Sequence, residues 1–402
     1  MGSCVILTVP SIKDTCGAGG VAVRWNEYVN ELHMNGWDVE VWSVDSDDPM
    51  HRLERIVMPF SVNTLTDLPT VEYASRLFHR LTSAKPKVKA LISTDLFTNI
   101  TTALCCRAAG VPFIFSIHTD IGQLKCCPLP LANFVQNITI TLASDVITTS
   151  KSFCETLEKR GVRGVKKYYR PLPVDFTFPT GNEVFDARLE MTCGNPARKV
   201  FLYAGRWSME KRIELLKNAI PRDSTLCLIG DGPLGDEIAS WHNGEHVVVL
   251  RGMKKRSELV KYYASSDWIV SASAFETFGN VPYEAAHLGT PAILQNAQGF
   301  VDQIDDKETR GSLVNFELGT IEDAISRTEW LLKRPDVVIE TAKKQSKIGT
   351  SISEELLLVK SLEPVYMYKY AAIVFAAVFQ LFLLFVNRFY FSKSTNFLRF
   401  KN

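Results

Sequence analysis

Short apolar runs alternate with amphipathic stretches along most of the chain. Their spacing predicts strands over 4–10, 38–43, 90–94, 112–118 and 145–150, with helices over 21–35 and near 97–109. Strand and helix alternating at this interval imply a parallel sheet covered on both faces. The stretch 170–195 carries several Pro and Gly, breaks the alternation and reads as a linker. A second series follows: strand 200–204, helix 209–219, strand 225–229, a helix from 236, strand 247–250, and so on to 294. It predicts a second α/β domain of similar size, and two such domains leave a cleft between their strand carboxyl ends. The run 267–274 predicts one of the buried strands. Gly279 and Asn280 interrupt it, and Pro282 is tolerated only in a first helical turn. Glu276 is therefore expected at a strand end and Glu284 on the helix that follows, both facing the crevice where a polar ligand would lie.

The tail differs in kind. Apolar Ile348, Ile352, Leu356 and Leu357 suit a closing helix within 341–366. Beyond it, 370–387 reads YAAIVFAAVFQLFLLFVN, an uncharged run at the lower end of the length that crosses a bilayer, and a C-terminal transmembrane helix is expected there. Arg388, Lys393, Arg399 and Lys401 follow the run, whereas Lys360 and Lys369 precede it. That bias favours a cytosolic tail, against a cytosolic body, so single-pass and monotopic attachment both stay open with the two domains expected in the cytosol.

Composition narrows the field. The 402 residues are 46% hydrophobic and 22% charged, which suits two globular domains, divided here as 1–175 and 196–340. A formal net charge of +1 offers no electrostatic basis for binding nucleic acid. Nine cysteines show no metal-ligand spacing and no disulfide framework, as a reducing compartment would leave them. The first residues, MGSCVILTVPS, lack the basic and apolar regions of a secretory leader, and Ile6 stands where a myristoylation pattern wants Ser or Thr. The sequons at Asn99 and Asn137 are discounted for a cytosolic body.

Three motifs carry chemistry. GRWSMEKR follows the first strand of the second domain, and Arg206 and Lys211 within it could clamp a diphosphate leaving group, although most such pairs are solvated basic turns. IGDGP ends the next strand with glycines around Asp231, as suits close approach of a ligand or a plain tight turn. ETFGNVPYEA places helix-start N–H groups at Gly279, Asn280 and Val281, available to an anion, and sets Glu284 within an otherwise apolar helix, from which it could accept ribose hydroxyls.

In this order and spacing the motifs resemble the retaining GT-B glycosyltransferases of family 4, and within them the sulfoquinovosyl-diacylglycerol synthases and GDP-mannose-dependent α-mannosyltransferases. The resemblance runs over 200–304, more loosely over 1–175, and excludes the tail. It implies two Rossmann-like domains facing each other across a cleft. It also implies transfer from a UDP- or GDP-linked sugar to a lipid or glycan acceptor at a membrane, with diacylglycerol as one such lipid. By the same resemblance Arg206 and Lys211 would hold the donor diphosphate, Glu284 the ribose, and Glu276 would lie near the donor sugar. Gly19 and Gly20 would approach the phosphates from the first domain, and His118 would sit beside the transferred sugar; a lone histidine is otherwise usually structural. Pro173, where relatives carry Gly, bears on the hinge. No cofactor or metal is required in this scheme, because cations and helix dipoles suffice for the leaving group.

Two other classes compete. Gly17, Gly19 and Ala22 fit a dinucleotide fingerprint with Asp45 at about the ribose distance, which would make an NAD-dependent oxidoreductase but leaves the second-domain motifs unexplained. Asp45-Ser46-Asp47 also mimics a metal-binding D-x-D and is as easily a solvated loop. The other class is a catalytically inactive membrane-tethered scaffold.

Overall fold

The computed structural model describes residues 4–11, 19–56, 68–83, 86–94, 98–120, 129–171, 174, 176–305 and 307–359. Its strands in chain order are β1 (Cys4–Val9), β2 (Asp38–Ser43), β3 (Arg55–Ile56), β4 (Leu68–Pro69), β5 (Val88–Ser93), β6 (Phe113–Ile117), β7 (Asp145–Thr148), β8 (Lys167–Tyr168), β9 (Val200–Ala204), β10 (Thr225–Gly230), β11 (Val247–Arg251), β12 (Trp268–Ser271), β13 (Ala292–Gln295) and β14 (Gly311–Val314). Six form a sheet in the order β2-β1-β5-β6-β7-β8, and six more form a second in the order β11-β10-β9-β12-β13-β14. Every pairing in both is parallel. The remaining two strands, β3 and β4, pair antiparallel.

Side-chain alternation explains why each sheet is sandwiched. In β1, Cys4 and Ile6 enter one apolar cluster while Val5, Leu7 and Val9 enter another on the opposite face. In β9, Phe201 and Tyr203 face one core and Val200, Leu202 and Ala204 the other. The two α/β domains expected from the pattern are therefore both present, each a Rossmann-like sheet with helices on its two faces.

Several local expectations change. The stretch read as a linker, 170–195, contains a helix, Gly181–Met191, started by a capping box in which Thr180 and Glu183 satisfy each other's backbone N–H groups. Ala187 and Met191 bury against the second core, so this helix belongs to the second domain. The helix expected over 209–219 begins only at Ile213: Met209–Lys211 is a 3-10 turn, and Arg212, at φ +53°, breaks the path between them. Helices Val71–Thr82, Leu129–Leu142 and Lys151–Lys159 had no counterpart in the sequence pattern. β12 stops at Ser271, which leaves Glu276 in the following loop and not at the strand end itself.

The last described helix packs on the first domain. Where one closing helix was expected over 341–366, the described part holds the end of helix Pro335–Gln345 and a separate helix, Ile352–Leu358. Ile352, Leu356 and Val359 pack with Val5, Leu7 and Trp25 of the first domain, while Ile348 and Leu357 are exposed. Lys167 ties Asp145 and Glu355 together, and Lys89 Nζ donates to the Val359 carbonyl at 3.0 Å. The apolar run 370–387, Pro173 and Gly17 lie outside the described residues. Among those described, no helix is long and apolar enough to cross a membrane.

Candidate active site

The loops after β9, β10 and β12 meet at one end of the second sheet, opposite the first domain. Glycine makes the first junction possible. Gly230 has φ +150°, and a Cβ there would stand 1.9 Å from the Gly205 carbonyl oxygen; at Gly232 it would stand 2.4 Å from that of Trp207. What approaches these glycines is the chain's own GRW backbone. Asp231 accepts the Gly232 N–H at 2.8 Å and pairs with Arg251, and both contacts hold its carboxyl below the usual range. This is the geometry of a turn-closing residue.

The turn after β9 and the loop after β12 are joined by charge. Lys211 Nζ lies 2.6 Å from Glu276 Oε2, with both side chains about a quarter exposed or less. Arg206 sits 2.6 Å from Glu210 Oε1, an oxygen that also accepts from Ser208 Oγ at 2.6 Å. Sequence positions 206, 211 and 276 are thus gathered on neighbouring loops, each cation held by a carboxylate. Gly279, at φ +87°, starts the helix Asn280–Ala286, and a Cβ on it would strike the Phe300 ring at 2.5 Å. Gln303 donates to the Gly279 carbonyl at 2.8 Å and accepts from the buried Arg310 at 3.0 Å, which fixes the loop from behind. Val281 is half-buried at the start of the same helix.

Glu284 is buried on that helix. Arg256 lies 2.8 Å from its Oε1, and Tyr263 donates to its Oε2 at 3.2 Å. Burial nevertheless pushes its carboxyl up to about 7. Arg256 also pairs with Glu27 of the first domain. Arg24, Glu27, Arg256, Asn280 and Glu284 line a single pocket with Val23, Phe278 and Tyr283, so the pocket draws on both domains. Arg24, Glu27 and Arg256 were not singled out in the sequence. The spacing of Arg24 and Glu27 on the first helix was visible, but nothing in it told that this face meets the second domain.

Other contacts span the cleft. Thr149 and Ser150 donate to the Thr277 carbonyl at 3.0 and 2.6 Å, Thr277 Oγ1 donates to the His118 carbonyl at 2.9 Å, and Ser152 N–H donates to Asp302 at 2.8 Å. His118 follows β6 as expected, but its ring is buried among Trp25, Tyr28 and Tyr169, with Nε2 2.6 Å from Ser116 Oγ. Burial and then the Arg24 charge hold the imidazole well below its ordinary pKa, hence neutral. Gly19 and Gly20 open the helix Gly19–Met34, close in sequence to Arg24. Asp45 accepts from Ser11 Oγ at 2.6 Å and Ser43 Oγ at 2.8 Å, which braces the loop after β2. Among the described residues no group of three or more His, Cys, Asp or Glu could hold a metal ion.

Two family models account for this arrangement: "Glycosyl transferase 4-like domain" matches residues 19–171 and "Glycosyl transferases group 1" matches 194–351, one on each sheet. The chain belongs to the group 1, family 4 glycosyltransferases. Sulfoquinovosyl transferase SQD2 of Arabidopsis thaliana is 30% identical over 149 residues, which is 37% of this glycosyltransferase and 29% of that relative. A GDP-mannose-dependent alpha-mannosyltransferase of Mycobacterium tuberculosis is 26% identical over 65% of this chain and 68% of its own length. Both groups of relatives expected from the motifs therefore recur. In fold, the glycosyltransferase is similar to Anabaena HepE solved in complex with UDP, with a TM-score of 0.61 at 15% identity, covering 89% of this chain and 98% of that one. The architecture is GT-B.

Proposed function

We propose that this glycosyltransferase moves a hexosyl group, with retention of anomeric configuration, from a nucleotide diphosphate sugar to a lipid acceptor at a membrane. The observation that carries the donor half is the Lys211–Glu276 contact, which brings a cation and a carboxylate from separate motifs to one point on the cleft. As the bond from the anomeric carbon to the diphosphate oxygen breaks, negative charge grows on the phosphate, and Lys211 and Arg206 offset it. Their carboxylate partners, Glu276 and Glu210, keep both cations in place until the diphosphate exchanges with them. Glu276 is then left beside the sugar, and Glu284 takes the ribose. Closure of the cleft excludes water that would otherwise hydrolyse the donor. HepE was solved with UDP, and the mycobacterial relative is named for GDP-mannose, so uridine and guanosine donors both merit trial.

Support for the lipid acceptor comes from the apolar run 370–387 and from the relative named for sulfoquinovosyl transfer. The test is transfer of labelled sugar by the full chain from UDP- and GDP-sugars, with diacylglycerol or polyprenyl phosphate in vesicles set against soluble glycans. Labelled lipid, formed equally with EDTA present, is the expected product. Label found on glycans alone would overturn the lipid acceptor, and absence of donor turnover would overturn the whole proposal.

A further inference from the structure

Arg256 occupies an unusual position. Its guanidinium pairs with Glu284 of the second domain and with Glu27 of the first, and it lies 5.0 Å from the ring centroid of Phe176, in the segment that joins them. One side chain thus touches both domains and their connection. Of the Glu284 oxygens, Oε1 lies 2.8 Å from Arg256 Nε, an ion pair without hydrogen-bond alignment, and Oε2 accepts from Tyr263. A ribose can share that carboxylate only if Arg256 does not neutralise it alone. Glu27 supplies the competing carboxylate, and its own Oε2 is buried with no hydrogen-bond partner among the described residues.

We infer that Arg256 is a positioning residue that couples cleft closure to ribose recognition: Glu27, arriving with the first domain, shares the guanidinium and leaves Glu284 able to accept ribose hydroxyls. With the domains apart, Arg256 pairs with Glu284 alone and competes with the ribose. With the domains together, the charge is divided between two carboxylates, and the same ion pair favours the closed form. Nucleotide affinity and closure then rise together, as linkage requires. The inference rests on the assignment of Glu284 to the ribose.

Titration calorimetry with UDP and GDP, each beside its 2′,3′-dideoxy counterpart, separates the possibilities. The wild type should prefer the ribonucleotide. Glu27→Gln should weaken ribonucleotide binding by roughly five- to tenfold while leaving dideoxynucleotide binding within about twofold; in an Arg256→Gln background, which lacks the competing cation, adding Glu27→Gln should no longer change the ratio of the two. Glu27 is partly exposed, so its variant should fold, and it decides the matter alone if Arg256→Gln does not. Equal losses for both nucleotide forms would reduce Arg256 to a structural role and overturn the inference. A wild type that discriminates, with the ratio unchanged in Glu27→Gln, would overturn the coupling and leave the Glu284 assignment standing. A wild type that binds both forms equally would remove the assignment and the inference with it.

Discussion

Replacing Lys211 with alanine should separate catalysis from stability. The Lys211 side chain is 20% exposed and pairs with that of Glu276, 25% exposed. An ion pair this accessible to water contributes about 1 kcal/mol or less to folding, so the variant should melt within a few degrees of the wild type. Its catalytic cost should be far larger. Once the cleft has closed on the donor and excluded water, losing one charge-stabilising group costs about 3–4 kcal/mol in the transition state, or roughly two to three orders of magnitude in kcat. The contact adds a second effect. With Lys211 gone, Glu276 keeps its negative charge beside the diphosphate, and two like charges about 4 Å apart repel by roughly 4 kcal/mol at an effective dielectric constant of about 20. The double variant Lys211→Ala/Glu276→Gln should therefore bind donor better than Lys211→Ala alone, although it also lacks the carboxylate beside the sugar. The assay is steady-state transfer against donor concentration, with calorimetric melting as the control for folding. If folded Lys211→Ala kept kcat/KM within about threefold of the wild type, Lys211 would not face the leaving group, and the phosphate clamp would have to be sought elsewhere.

Donor binding should also depend on pH through Glu284, whose neighbours are Arg256, Tyr263 and, across the cleft, Glu27. Burial raises its carboxyl from 4.5 to about 7, so the native state holds this proton more tightly than the unfolded chain. The group's contribution to stability falls as pH rises through that interval, while its carboxylate, the form that accepts ribose hydroxyls, appears. The donor KM should fall as pH rises through about 7, and Glu284→Gln should flatten the profile; an unchanged profile would free Glu284 of the role. Gly230→Ala should destabilise by roughly 3 kcal/mol in urea, since the new Cβ meets the Gly205 carbonyl. Gly244→Ala, with nothing within 4 Å of the new Cβ and φ +73°, should cost only about 1 kcal/mol, and equal losses would refute the packing argument. A chain ending at Tyr366 keeps the helix Ile352–Leu358 and should leave the membrane fraction yet still bind nucleotide, whereas one ending at Thr350 should lose stability as well. Loss of nucleotide binding by the Tyr366 chain would put the tail inside the catalytic architecture.

The alternation of apolar strands with amphipathic helices determined the fold class, because sheet and helix periods are local properties of the chain. It located β1, β2, β9, β10 and β11 to within a residue or two. It also placed Arg206, Asp231 and Glu276 after strand carboxyl ends, where open parallel sheets gather their ligands, and Glu284 on the helix that follows. It failed where a local signal points both ways: Pro and Gly around 170–195 resemble a linker, yet the Thr180–Glu183 capping box starts a helix there. Partner choice was beyond it altogether. GRWSMEKR and ETFGNVPYEA lie some 65 residues apart, and only packing of β12 beside β9 brings Lys211 onto Glu276. Arg256 and Glu27 carry no motif, and they meet because two separately built domains close on each other. The burial of His118 likewise comes from Trp25, Tyr28 and Tyr169, which reach its ring from distant parts of the sequence. Long-range charge pairing and burial depend on how the elements are stacked, and that information is spread over the whole chain.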